Sequence, residues 1–207
     1  MLEPIEPDYF EVRRLRGEAP DKFLGYPVTT DREGWICSKL LPKASCVLEI
    51  GAGDRPFLPE LKARGFSGTF KTMDVDRRQT FDYYSLEEIT DRFDAVIMRE
   101  VIEHIPRPLF YAYLKRLWAL LLPGGILVVT TPNPWSASWY FCDYTHVSPW
   151  PPRDLYGVLR WFGFSRVEIC RIIWPSRWLW LKRIYWAVHS RFYDIDYAGA
   201  YVAAALK

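Results

Sequence analysis

No stretch of these 207 residues is both long and free of charge, so the sequence predicts no bilayer-spanning helix. Neither sign of charge dominates: Lys and Arg number 27, Asp and Glu 25, and the formal net charge is +2. That balance argues against a nucleic-acid binder held by phosphate contacts. The four cysteines, Cys37, Cys46, Cys142 and Cys170, form no Cys-x-x-Cys pair. No zinc site, iron–sulfur cluster or disulfide scaffold is therefore expected, only free thiols in a reducing cytoplasm. Internal repeats and low-complexity tracts are missing too. The opening Met1–Asp8 is acidic and proline-rich and lacks the basic-then-apolar order of a signal peptide.

What is plentiful is aromatic: 17% of residues, with ten tryptophans, most of them after residue 117. The length suits one domain with a sizeable core. We expect an N-terminal arm over residues 1–30 and a single domain over 31–207. Within it, 30–170 forms a nucleotide-type core with an acceptor loop, and 171–200 an aromatic, basic helical insertion before the last strand.

The most informative run is Val47-Leu48-Glu49-Ile50-Gly51-Ala52-Gly53-Asp54. It reads as a buried strand entering a glycine turn. A second strand-like run ends in Met73-Asp74-Val75-Asp76. A glycine turn after one strand and a carboxylate at the tip of the next is how a doubly wound fold holds a nucleoside-bearing cofactor. Pro56 stands where a dinucleotide fingerprint needs its third glycine, and Asp54 would repel a pyrophosphate. Glu49 suits a cationic ligand better.

Further pieces follow in order. Phe93–Met98 reads as a buried strand, then Arg99-Glu100-Val101-Ile102-Glu103-His104-Ile105 as a helix start. Leu121-Leu122-Pro123-Gly124-Gly125 turns the chain into Ile126–Thr130, followed by Thr131-Pro132-Asn133. Asp143-Tyr144-Thr145-His146-Val147 and Gly163-Phe164 come after. The series resembles the class I S-adenosylmethionine-dependent methyltransferases, in the branch with EH and TPN signatures, over roughly residues 30 to 170. The resemblance implies a Rossmann-like α/β fold: a mostly parallel seven-stranded sheet with an antiparallel C-terminal strand and helices on both faces. It implies S-adenosylmethionine as cofactor. Glu49, Gly51, Ala52 and Gly53 would cradle its amino-acid part, Asp74 the ribose hydroxyls, and Val75 the adenine. Ser85, with Tyr84, would meet the adenine edge, and Met98 and Arg99 would lie beside the methionine tail. Asp76 competes for the ribose. Arg99 could instead bind an acidic acceptor or pair with a nearby glutamate.

The alternation of periods predicts helices over Asp31–Leu41, Phe57–Arg64, Leu109–Leu122 and Arg153–Trp161. Pro42 is expected to end the first of these. Strands are predicted at Cys46–Ile50, Phe70–Asp74, Phe93–Met98, Ile126–Thr130 and Phe164–Ile173, with a short one at Phe81–Ser85, one helical turn at Leu86–Thr90, and a closing strand at Tyr201–Leu206. Residues 1–20 read as irregular. The proline- and aromatic-rich Thr131–Pro152 is long enough to be a functional loop.

Methyl transfer from a sulfonium needs alignment and, for some acceptors, a base; no metal is called for by that logic. His104 and His146 both fall at the rim where an acceptor would lie, and Asp143 could orient an imidazole. His189 reads as structural. Trp178, Leu181, Tyr185, Val188 and Phe192 recur at helical steps beside Arg177, Lys182, Arg183 and Arg191. Such a helix serves as lid, core cover, dimer contact or peripheral membrane contact over 174–193. The expected acceptor is a small molecule, a glycan precursor or a lipid-linked intermediate. The rival readings are a non-catalytic relative that binds cofactor or a partner protein, and a nicotinamide reductase, disfavoured by Pro56.

Overall fold

The computed structural model describes residues 6–21, 25–41, 44–136, 140–174, 179–193 and 195–207. Pro42, Arg177 and Trp178, singled out above, lie outside them, as do the side chains of Lys182 and Arg183. The helices are α1 (Tyr9–Arg16), α2 (Arg32–Leu40), α3 (Leu58–Ala63), α4 (Arg107–Leu120), α5 (Pro152–Trp161) and α6 (Leu179–Tyr193). The strands are β1 (Val28–Thr29), β2 (Cys46–Ile50), β3 (Thr69–Met73), β4 (Phe93–Arg99), β5 (Leu121–Pro132), β6 (Arg166–Ile172) and β7 (Ala200–Leu206).

The strands form one seven-stranded sheet in the order β1-β6-β7-β5-β4-β2-β3. β7 runs antiparallel to both its neighbours, and every other pairing is parallel. Central strands are buried on both faces, which is why Val47, Leu48 and Ile50 read as a continuous apolar run. Leu48, Ile50, Val96 and Met98 pack on one face with Phe110, Leu114 and Leu117 of α4 and Leu155 and Leu159 of α5. Val47, Ala95, Ile97 and Val128 pack on the other with Ile36 and Leu40 of α2 and Leu61 of α3.

Four expectations need correction. The arm contains a regular helix: Asp8 caps α1 by accepting from the N–H groups of Phe10 and Glu11 at 2.8 and 3.0 Å. No strand forms at Phe81–Ser85 and no helical turn at Leu86–Thr90. A single parallel bridge, Met73 to Tyr83, is all that remains of the pairing. The seventh strand is instead β1, which pairs with β6 at the opposite edge. The turn expected at Pro123-Gly124-Gly125 is an irregularity inside β5: Phe93 pairs with Leu121, and the ladder resumes with Ala95 against Ile126.

The stripe on α6 does not cover the core. Leu181, Ile184, Tyr185, Val188 and Phe192 are all exposed, and Phe192 is 72% so. His189 Nδ1 lies 2.9 Å from the Tyr185 carbonyl within the helix, a local role. No helix among the described residues is long and apolar enough to cross a membrane.

Candidate active site

The carboxyl ends of β2, β3, β4 and β5 converge on one edge of the sheet, where ligands of open parallel sheets bind. Gly51 leaves β2 with φ 71°, and a Cβ there would lie 2.3 Å from Val101 Cγ2. Gly53 has φ 53°, and nothing lies within 4 Å of where its Cβ would be. The first glycine is demanded by conformation and contact, the second by conformation beside open ground. The turn is fastened to β3: the Met73 carbonyl accepts from the N–H of Gly51 at 2.8 Å and of Ala52 at 3.4 Å. Ala52 itself is buried.

Asp74 faces the same turn. Its Oδ2 accepts from the Gly53 N–H and its Oδ1 from the Asp76 N–H, both at 2.9 Å. Each oxygen keeps a lone pair for a ribose hydroxyl. Asp76 is taken up differently, by Arg78, whose guanidinium reaches it at 2.8 and 2.9 Å. Of the two carboxylates, Asp74 is the one that touches the glycine turn. Val75, next to Asp74, is 73% exposed, an apolar side chain at the mouth of the turn. Ser85 is half-buried in the bend after the Tyr83 bridge, and Tyr84 sits under the Arg77 guanidinium at 5.1 Å.

Glu49 and Met98 are buried, and Arg99 is half-buried. Glu49 is wholly buried. Its Oε2 accepts from the Phe57 N–H at 2.7 Å and its Oε1 from Arg99 Nε at 2.8 Å. Arg99 also donates to the Arg55 carbonyl. Burial raises the Glu49 carboxyl above its ordinary value, against the pull of Arg99 and the Phe57 N–H. In this structure Arg99 pairs with Glu49. Together the pair pins β2, β4 and the loop before α3. Met98 is fully buried in the core beside Ile50.

Beyond β4 the chain turns sharply. Glu100 holds φ 52°, rare for a residue with a side chain. The Glu100 N–H donates to the Thr130 carbonyl and Oγ1, both at 3.1 Å, and Thr130 Oγ1 donates back to Glu100 Oε1 at 2.7 Å. This turn delivers the 3-10 segment Ile102–His104, with Glu103 buried and His104 at the surface.

Here the structure brings together residues distant in the chain. The Glu103 carbonyl accepts from the N–H groups of Val147 and Ser148, which docks the long loop. Thr131 donates to Glu103 Oε2 at 3.0 Å, while Oε1 is buried without a hydrogen-bond partner. Burial, with the Glu100 charge adding to it, pushes the Glu103 carboxyl up to about 8. The rings of His104 and His146 meet edge to face at 4.9 Å. His146 Nδ1 lies 2.7 Å from the Tyr140 carbonyl, an acceptor only, so Nδ1 carries the proton and Nε2 the lone pair. Thr145 Oγ1 donates to Asp143 at 2.6 Å and so receives His104 Nδ1 at 2.9 Å. His104 is thereby set in the same tautomer. Sequence reasoning marked both histidines but missed Glu103. The adjacency of Glu103 and His104 was the available signal; nothing in spacing ties either to His146.

A cavity of about 750 Å³ is lined in part by Trp135, Pro151 and Pro152 and by Val188 and Phe192 of α6.

Residues 31–169 match the model of a methyltransferase-domain family. An O-methyltransferase of ubiquinone biosynthesis from Ruegeria pomeroyi is 29% identical over 150 residues, 65% of this chain and 55% of that protein. One from Cereibacter sphaeroides strain ATCC 17029 is 29% identical over 143 residues, 62% and 54% of the two chains. The chain thus spans about half the length of these curated relatives. Among solved structures, a methyltransferase dependent on S-adenosylmethionine from Archaeoglobus fulgidus superposes with TM-score 0.63 at 19% identity, covering 97% of this chain and 100% of the other. The N-methyltransferase NodS from Bradyrhizobium japonicum gives 0.58 at 15%, covering 86% and 94%. The chain belongs to the methyltransferase-domain family and has the class I S-adenosylmethionine-dependent methyltransferase fold.

Proposed function

We propose that this protein binds S-adenosylmethionine at the Gly51–Gly53 turn and transfers its methyl group in line to a hydroxyl oxygen of a small molecule. The observation that carries the reading is the open ground beside Gly53, bordered by the Asp74 carboxylate and the exposed Val75. In this reading Gly51, Ala52 and Gly53 follow the amino-acid part, Asp74 binds the ribose and Val75 flanks the adenine. Ser85 lies on the adenine side. Glu49 and Arg99 act from behind, by holding the turn, and Met98 by filling the core beneath it. His104 and His146 meet the acceptor hydroxyl at the rim.

The oxygen acceptor is supported by the relatives, whose names specify O-methylation. The test is calorimetric titration with S-adenosylmethionine and S-adenosylhomocysteine, with NADH as control. Micromolar binding of the first two and none of NADH is expected; binding of NADH alone would overturn the reading. A non-catalytic relative would bind the cofactor yet release no S-adenosylhomocysteine from any hydroxylated acceptor.

A lipid-linked acceptor is favoured over a glycan by the α6 face. Its apolar side chains are exposed, Arg191 accompanies them, and the cavity against Trp135 opens beneath. An amphipathic face of this kind can lie in a membrane interface. Co-sedimentation with anionic vesicles, lost in Ile184→Asp, is the expected outcome. An equal bound fraction for both proteins refutes this placement, and a concentration-dependent dimer without vesicle binding would assign the face to a second copy.

A further inference from the structure

We propose that Glu103, His104 and His146 bind one divalent transition cation, and that this ion holds the acceptor's hydroxyl oxygen. The three side chains each offer one ligand atom, and these atoms all lie within 4.8 Å of one another. They come from two segments, the 3-10 turn after β4 and the loop after β5, joined by the Val147 and Ser148 N–H bonds to the Glu103 carbonyl.

Four features of the cluster suit a cation. Glu103 Oε1 is a buried carboxylate oxygen with no hydrogen-bond partner, lying 4.0 Å from His104 Nε2. Leaving such an oxygen unsatisfied is costly, and an ion is the partner that a carboxylate beside two imidazoles can share. Both histidines spend their Nδ1 proton on the protein, His146 on the Tyr140 carbonyl and His104 on Thr145. Metal-bound histidines are oriented in this way, with the second nitrogen's lone pair left for the ion. Asp143 fixes Thr145 from behind, so the outer partners are themselves held. Finally, two imidazoles and one carboxylate suit zinc, manganese or iron better than magnesium or calcium, and three protein ligands leave positions open for substrate. Around an ion with bonds of about 2.1 Å, ligand atoms sit about 3–3.5 Å apart, so loading would draw the three side chains together.

The proposal rests on the methyl-transfer reading only for the ion's task. In that task, the bound hydroxyl becomes more acidic and gives its proton to solvent water. An oxygen lone pair forms the bond to the methyl carbon. The sulfur–carbon bond breaks, its electron pair stays on sulfur, and the sulfonium leaves as the neutral thioether. Neither imidazole then has to act as the base.

The test needs no acceptor. Full-length protein stripped with a chelator is titrated calorimetrically with Zn²⁺ and with Co²⁺, and the visible absorption of Co²⁺ is followed. One ion per chain is expected, with affinity at least tenfold weaker in Glu103→Gln and in His146→Ala. Thr145→Val changes a half-buried loop residue and removes the side-chain acceptor of His104 Nδ1. It should weaken binding by about 10–100-fold, the usual effect of removing an outer partner. No saturable binding of either ion below about 1 mM overturns the proposal. So does equal affinity in the wild type and all three variants. S-adenosylmethionine is titrated into the same stripped protein. Cofactor binding without ion binding sinks the ion site and leaves the methyltransferase reading intact; loss of both sinks both.

Discussion

Asp74 and Asp76 stand two residues apart and have opposite fates. Asp76 is neutralised locally by Arg78, while Asp74 holds the glycine turn and keeps lone pairs facing the open ground. Asp74→Ala should therefore weaken S-adenosylmethionine binding by about 1–3 kcal/mol, the scale of hydrogen bonds to a charged group, as read by calorimetry. Asp76→Ala should change it little, and the reverse order would reassign the ribose contact. At Glu49 the lesson runs the other way. Its place before the glycines suggested a ligand contact, and the structure adds a buried brace with Arg99. Such a role depends on what folds over the residue, which a linear sequence does not display. Arg99→Met leaves a buried carboxylate with one hydrogen bond and should cost about 3 kcal/mol in chemical denaturation, whereas the double variant with Glu49→Leu should recover part of the loss.

At the scale of elements, legibility followed burial. β2 matched its expected bounds, and β4 ran only to Arg99 instead of Met98, because both are apolar runs flanked by turns. α1 escaped notice since Tyr9 and Phe10 face solvent and only Leu15 is buried. The helix is held by a neighbour rather than by its own pattern: it packs on α5, where a Cβ at Gly157 would lie 2.8 Å from the Val12 carbonyl oxygen. Gly157→Ala should cost about 1–3 kcal/mol by the same denaturation measurement, the range for overpacking, and an unchanged midpoint would show that α1 yields freely. The expected third strand failed for a related reason, having one bridge and no ladder. At the base of the sheet, Asp94 accepts from Ser45 N–H, Ser45 Oγ–H and Cys46 N–H at 3.0, 2.7 and 2.9 Å. These bonds, the Ser45 hydroxyl first, hold its carboxyl below the usual aspartate value. A depressed carboxylate stabilises the fold above its unfolded pKa and loses that contribution as pH falls through the folded one. The melting-temperature gap between wild type and Asp94→Asn should thus be present at neutral pH and close below about pH 4. A gap that does not narrow at all as pH falls below about 4 would refute the assignment.

The whole molecule divides its labour across one edge of the sheet. The glycine turn and Asp74 are legible because a strand, a glycine pair and the acid ending the next strand lie close together in sequence. The cluster of Glu103, His104 and His146 is assembled from two segments some forty residues apart, and only folding reveals it. The same holds for the buried tie between β6 and the approach to β7. Arg171 Nη1 donates to Asp196 Oδ1 at 2.8 Å, and Asn133 donates to Asp196 Oδ2 at 2.9 Å. β6 and β7 end opposite each other, Ile172 against Ala200. Everything between them leaves and re-enters the sheet about one strand spacing apart, about 4.8 Å. The α6 excursion can therefore be tested as a removable segment. Swapping residues 174–193 for a short glycine-rich linker, with Asp196 kept, should leave the sheet closed and S-adenosylmethionine affinity unchanged while abolishing vesicle binding. Where this chain docks and what its glycine turn binds would then be separable properties.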